Sequence, residues 1–303
     1  MLTAENINER SHWISVFEPL AHERQELIDK YEVTTEMLDY AIDPYEKARV
    51  EVDQNAGVTL LIFDVYVPTH EISAPQTAPI GIMLTNNNVI TFTNAQTNFV
   101  NGIFANELTE LKDKGPIDDK IDLILPVLYQ LSTAYFEPIR RADSQRQTIQ
   151  RNIHDHTNRK VISDFMEIET GLVYILTSLR GNVSLLQEFK RRTHLSDKQS
   201  DDLDDVLIEA QQGLEMAQMT SDVSARVSDA YSKVLDSELN QTMQFLTVFS
   251  IILAIPPIVS GFYGENVKLP LASGPYAWIF TIVVSVVLIL GAAVVMRNRH
   301  WWR

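Results

Sequence analysis

FLTVFSIILAIPPIVSGFYGEN, residues Phe245–Asn266, decides how the rest of the chain is read. Its first 19 residues, Phe245 to Tyr263, carry no charged side chain, and a second run of 20, Ala277 to Met296, is equally free of charge. At about 1.5 Å of rise per residue each run makes a helix of roughly 28 to 30 Å, the thickness of a bilayer's hydrocarbon core. Core helices of soluble proteins are rarely both so long and so apolar. The chain therefore reads as a membrane protein with a C-terminal two-helix transmembrane hairpin, and residues 264–276 form the loop between the spans.

Whole-chain averages hide this division, because 21% charged residues and a net charge of −15 describe an ordinary soluble protein. Residues 1–244 hold 39 acids and 21 bases, a net of −18, whereas residues 245–303 hold one acid and four bases, a net of +3. An acidic soluble body argues against nucleic acid as a partner. It suits a protein that meets cations, with a solvated acidic surface as the plain alternative. The absence of cysteine excludes disulfides, thiolate nucleophiles and cysteine-ligated zinc.

The N-terminal MLTAENINERSHW has neither a signal-peptide nor a transit-peptide pattern, so the soluble body is expected in the cytosol. The tail 297–303 carries Arg297, Arg299, His300 and Arg303, against only Lys268 in the loop. By the positive-inside rule the tail is cytoplasmic and the loop external, and two spans return the N-terminus to the cytoplasm. Trp301 and Trp302 read as an interfacial anchor.

Residues 1–118 read as an α/β domain. Apolar, β-branched runs mark strands at His12–Val16, Arg49–Asp53, Val58–Val67, Ile80–Leu84 and Val89–Phe92, the last two flanking a turn at Thr85–Asn88. Helices are expected near Ala21–Tyr31 and Thr34–Ala41, and Pro68, Pro75 and Pro79 mark a loop. Residues 119–195 turn helical. The stripe Val161, Phe165, Ile168, Leu172, Ile175, Leu179, Val183 and Leu186 keeps 3- and 4-residue spacing and needs a partner, for which Ile121–Ile153 is the candidate, bent or interrupted by Pro126 and Pro138.

A capping box, Ser196 with Gln199, opens the next helix. Its apolar positions run Leu203, Leu207, Ala210, Leu214 and Ala217, then resume at Val223, Val227, Ala230 and Val234. No proline follows until Pro256, so residues 196–263 are expected to form one stalk helix on the order of 100 Å long that continues into the first span, 245–263.

One face of that helix reads Asn240, Met243, Thr247, Ser250, Ala254, Pro257 and Gly261. Small and polar residues on an otherwise greasy helix serve close helix packing or line a water-filled pore, and two spans per chain can enclose a pore only in an oligomer. Pro256 and Pro257 remove backbone donors and leave carbonyls near Ile252 and Leu253 without helical partners, which at bilayer depth must face protein or a wet cavity.

Other chemistry is sparse. The chain lacks GxGxxG and GxxxxGK[ST], and no Ser/His/Asp set or carboxylate pair suggests an enzyme, an organic cofactor or an ATP-driven pump. His154 and His156 could pair on a metal, but a polar helix surface explains them as well.

Tyr263-Gly264-Glu265-Asn266 closing the first of two C-terminal spans, after Asn240 and Met243 at its cytoplasmic end, resembles the CorA family of divalent-cation transporters. The resemblance extends over the whole chain. It implies a funnel-shaped homopentamer in a bacterial plasma membrane, with the first span lining the pore. It also implies a mouth at Gly264–Asn266 that receives hydrated magnesium, the ion both transported and regulatory.

The sequence departs from the family at Glu265, where the family keeps Met. Asn266 offers a carbonyl suited to magnesium's tightly held waters. Five Glu265 carboxylates near one axis would add a cation-attracting ring, although a solvated loop glutamate is the alternative. In Asp201-Asp-Leu-Asp-Asp205 the resemblance implies a regulatory cation at Asp205, with Asp204 beside it. An acidic first turn complementing the helix dipole accounts for the same residues. Flux would run down the electrochemical gradient. The alternatives are a zinc, cobalt or nickel transporter of the same fold, and a membrane-anchored cation sensor that does not conduct.

Overall fold

The structure, a computed structural model, describes residues 1–31, 33–53, 55–68, 76–151, 159–265 and 276–298. In chain order the elements are β1 (Leu2–Asn6), β2 (His12–Phe17), α1 (Ala21–Tyr31), α2 (Thr35–Ile42), β3 (Arg49–Asp53), β4 (Val58–Val67), β5 (Gln76–Leu84) and β6 (Asn88–Thr93). Six helices follow: α3 (Phe99–Lys114), α4 (Ile121–Thr133), α5 (Phe136–Arg151), α6 (Arg159–Arg192), α7 (Asp197–Gly264) and α8 (Ala277–Asn298). They form two compact units, Met1–Ser228 and Asp229–Arg303.

In the first unit the strands make one sheet in the order β1-β2-β6-β5-β4-β3, antiparallel except where β2 runs parallel to β6. Successive residues of β4 serve opposite faces. Leu60 and Ile62 join Ile14, Leu27, Leu38 and Phe92 under α1 and α2, while Leu61, Phe63 and Val65 join Phe104, Leu128, Leu186 and Leu203 under the later helices. Both faces being covered explains why β4 reads as a continuous apolar run rather than an alternating one.

Local chemistry sets the boundaries. Thr34 caps α2, its hydroxyl accepting from Met37 N at 3.3 Å. The capping box is formed reciprocally: Ser196 N donates to Gln199 Oε1 at 3.1 Å, and Gln199 N to Ser196 Oγ at 3.3 Å. The β5–β6 turn closes through Thr85 N to Asn88 O at 3.0 Å. Lys120 Nζ donates to the carbonyls of both Thr85 and Asn86, the latter at 2.8 Å, tying that turn to the start of α4.

Four features of the elements before α6 differ from the sequence reading. β1 is an additional edge strand, hidden because LTAEN carries little apolar signal and pairs only with β2. α3 is also additional, and it is seated by Trp13, which stacks on Phe104 at 5.5 Å and donates to Thr91 Oγ1 at 3.1 Å. Pro79 lies inside β5 opposite Asp64 rather than in a loop. It is tolerated because β6 pairs only with Gly81–Leu84, leaving one side of β5 open at Pro79. The chain between Ile121 and Arg151 breaks at Ala134–Tyr135, not at a proline: Pro126 sits inside α4, and Pro138 falls in the first turn of α5, where its missing donor costs nothing.

The α6 stripe is buried from Phe165 to Leu186, with Val183 packed beside it. The later α7 stripe is shifted from expectation. Ala230 and Val234 are exposed, and the buried positions after Ala217 are Thr220, Ser224 and Tyr231. The inward row keeps its 3–4 spacing through polar residues, so a search for apolar side chains steps onto the neighbouring row.

Candidate functional site

In the second unit, α7 and α8 meet along a narrow seam. On α7 the covered positions are Val248, Ile252, Ile255, Val259 and Tyr263; on α8 they include Thr281, Val284, Ser285 and Ile289. Tyr263 meets Phe280 edge-on at 5.9 Å. Elsewhere the apolar side chains of both helices stand exposed, among them Phe245, Leu246, Phe249, Ile258 and Val287. A soluble core helix would bury such residues. Lipid or further copies of the chain must cover them.

Asn240, Met243, Thr247, Ser250, Ala254, Pro257 and Gly261 are all exposed. With about 100° of rotation per residue, their mean direction lies roughly 150° from the seam. Pairing within one chain therefore leaves this face bare, on the side of α7 opposite α8. A Cβ added at Gly261 or Gly264 would meet nothing within 4 Å.

The hydroxyls of this face are turned inward. Thr247 Oγ1 donates to Met243 O at 2.8 Å and Ser250 Oγ to Leu246 O at 2.7 Å. With their protons committed to the helix's own carbonyls, both oxygens present only lone pairs outward. These two hydroxyls accept hydrogen bonds and offer none outward, which suits cations with their water shells, and Asn240 alone brings side-chain N–H donors to the face.

At its C-terminal end, Gly264 closes α7 and Glu265 is exposed. Tyr263 turns its ring onto α8, away from the polar face. Asn266 lies outside the described residues, as do His154, His156 and the tail beyond Asn298, including Trp301 and Trp302.

The two aspartates of the first unit differ. Lys190 Nζ donates to both carboxylate oxygens of Asp204 at 2.6 Å, so that charge is answered within the chain. Asp205 is exposed and has no such pair. Near it the sequence reading missed Tyr129 and Glu209, which lie 80 positions apart and meet when Tyr129 Oη donates to Glu209 Oε1 at 3.4 Å. The charge of Glu209, with burial and Asp205 adding to it, pushes the Tyr129 phenol up. Among the described residues no three acidic or histidine side chains gather to hold a metal.

Comparison with known proteins gives consistent findings. A family model described as CorA-like Mg2+ transporter protein matches residues 8–298. The cobalt/magnesium transport protein CorA of Methanocaldococcus jannaschii is 23% identical over 295 residues, covering 95% of this chain and 90% of that protein. The complete structure of the CorA magnesium transporter from the same organism superimposes with a TM-score of 0.81 at 23% identity, over 96% of this chain and 92% of that one. The full-length CmaX protein gives 0.72 at 15% identity, over 95% and 88%. The cytoplasmic domain of ZntB from Vibrio parahaemolyticus gives 0.63 at 12% identity, over 76% and 89%. At these identities the structural likenesses establish the shared fold, of a soluble α/β domain, long helices and two C-terminal apolar helices.

Proposed function

The chain belongs to the CorA-like Mg2+ transporter family, which makes it a divalent-cation transporter, and from that premise we propose that five copies surround one pore in the plasma membrane. The Asn240–Gly261 face of each α7 turns toward the axis, and both termini lie in the cytoplasm. Hydrated magnesium is captured at Gly264, Glu265 and Asn266, passes along that face, and moves passively down its electrochemical gradient. Cobalt, named for the relative from Methanocaldococcus jannaschii, is a second cargo.

The observation that carries this reading is the bare, acceptor-rich face of α7 lying opposite α8. A hairpin serving only as an anchor has no use for polar groups on its uncovered side, since exposure to lipid would penalise them. Packing against neighbouring copies is compatible with the same face, and a ring of copies provides both contact and lumen.

Gating follows from the first unit. Among the described residues Asp205 has no ion-pair partner, and a cytosolic cation there bridges to an acidic group of a neighbouring copy. Such binding favours the closed arrangement, and loss of the ion when internal magnesium falls releases it. Asp204 is held by Lys190 and acts by charge alone.

The test combines assembly and flux. Mass measurement in detergent should give five copies; a monomer or dimer is incompatible with this pore. Protein in liposomes with an internal magnesium dye should conduct, and Asn266→Ala should abolish uptake. Absence of flux under every cation gradient would leave the anchored-sensor reading in its place, and intact flux in Asn266→Ala would move the mouth elsewhere.

A further inference from the structure

The two prolines of the first span have unequal consequences. A helical carbonyl accepts from the N–H four residues on, or in a tightened turn from the N–H three residues on. Ile252 loses the first of these to Pro256 but keeps the N–H of Ile255 within reach. Leu253 loses both, because Pro257 stands four residues on and Pro256 three, and proline has no N–H. α7 nevertheless runs as helix through both prolines. Between Phe245 and Ser260, the Leu253 carbonyl is the one main-chain acceptor denied a helical donor at either position.

Its direction is set by phase. Leu253 and Pro257, which bracket the carbonyl, lie roughly 120° and 160° from the α8 seam, at the edge of the polar face beside Ser250 at about 180°. Leu253 is 56% exposed. Ile252 and Pro256 lie on the flank toward α8, and Ile252 is half-buried there. Nearby hydroxyls do not answer the Leu253 carbonyl: Ser250 Oγ donates to Leu246 O at 2.7 Å, and Ser260 Oγ to Pro257 O at 3.2 Å. A bare carbonyl at bilayer depth persists only against protein donors or water.

We propose that the Leu253 carbonyl is a coordination point for the passing cation, accepting hydrogen bonds from the water shell of a hydrated divalent ion. The outward lone pairs of Ser250 Oγ act with it. This rests on reading the Asn240–Gly261 face as the pore wall. In a symmetric assembly each copy adds one such carbonyl at the same depth, so the adjacent prolines build a main-chain acceptor ring midway through the span. Magnesium gives up its waters reluctantly, so a ring that bonds those waters favours it over ions too large or too weakly hydrated to present them in register.

The test uses the full-length protein in liposomes, with a magnesium gradient and an internal magnesium dye. Pro257→Ala supplies the four-residue donor and closes the Leu253 carbonyl into the helix; Pro256→Ala gives Ile252 on the α8 flank its four-residue donor and offers Leu253 only the three-residue position. Pro257→Ala should lower uptake at least three-fold and raise the half-saturating magnesium concentration, while Pro256→Ala, which leaves the four-residue donor of Leu253 missing, should lower uptake by a smaller factor. Pro257→Ala behaving as wild type, or equal losses in both variants, overturns the proposal, since equal losses indicate a kink rather than a carbonyl. If Pro257→Ala does not assemble, lactic acid in place of Ala254 decides. That change makes the Leu253 carbonyl an ester, a weaker acceptor, and unchanged uptake overturns the proposal. Wild-type protein that conducts no cation instead refutes the pore reading beneath it, a result visible before any variant is compared.

Discussion

The side-chain amide of Asn182 takes the place of a neighbouring strand for Asp64. Asp64 N donates to Asn182 Oδ1 at 2.9 Å, and Asn182 Nδ2 donates back to Asp64 O at 2.8 Å. β3 pairs with β4 only from Val58 to Ile62, so the far half of β4 is an open edge. Asn182 on α6 closes that edge, and Tyr135 Oη adds a donor to the same carbonyl at 2.9 Å. Asn182→Ala leaves Asp64 N unpaired in a buried site and its carbonyl held by Tyr135 alone. At about 1 to 3 kcal/mol for a buried group left unpaired, destabilisation of about 2 kcal/mol is expected, read by denaturant unfolding in detergent.

Asp64 gives the same junction a pH dependence. Burial, only partly opposed by the Ser178 hydroxyl, pushes its carboxyl up to about 6. A carboxyl raised in the folded state holds its proton there while the unfolded chain has released it, between about pH 4 and pH 6. The stabilisation from that proton is complete at the acid end and lost as pH rises through the window. Asp64→Asn mimics the protonated form, so it should unfold about 2 kcal/mol less readily than wild type at pH 7.5. The gap should close as the pH falls toward 4, read by thermal unfolding at each pH.

Two glycines mark points where a neighbouring segment comes too close for a side chain. A Cβ on Gly81 would lie 2.9 Å from Ala41 O and 3.0 Å from Ala41 Cβ, and one on Gly181 would lie 2.9 Å from Ala48 Cβ. Gly81→Ala should cost about 2 to 3 kcal/mol, because α2 must lift off β5. Gly181→Ala should cost less, about 1 to 2 kcal/mol, since the contact on Ala48 is with a side chain. Equal, negligible losses would show that both helices sit more loosely than the structure has them.

For regulation, Asp205→Asn should weaken the protection that magnesium gives the cytosolic part against protease. Lys190→Ala should strengthen it at low magnesium, because it releases the Asp204 carboxylate beside Asp205. The ion pair itself is partly solvated, so its loss should change stability by less than about 1 kcal/mol. Unchanged protection in both variants would remove this segment from gating.

At the mouth, Glu265→Gln should reduce magnesium uptake at low ionic strength. The difference from wild type should shrink as salt rises and the screening length falls below about 10 Å. A loss independent of salt would mean that Glu265 contacts the ion rather than attracting it from a distance.

The sequence by itself determined whatever depends on neighbours along the chain. The length of Phe245–Tyr263 made it a span, Ser196 and Gln199 made a helix start, and Thr85–Asn88 made a turn. The order of Leu253, Pro256 and Pro257 determined which carbonyl loses its donors, because helical hydrogen bonds join residues three or four apart. The resemblance carried by Tyr263–Asn266, in its place at the end of that span, gave the family. Tertiary structure decided what depends on distant partners. Only α8 packing on Val248, Ile252 and Val259 reveals that the polar face is the uncovered one. Only folding brings Tyr129 to Glu209, Lys190 to Asp204, and Asn182 to the open edge at Asp64. β1 was illegible because its side chains are mostly solvated and its place comes from pairing with β2. The inward row of α7 was misread because Thr220, Ser224 and Tyr231 are buried for their position on the helix, not for their polarity.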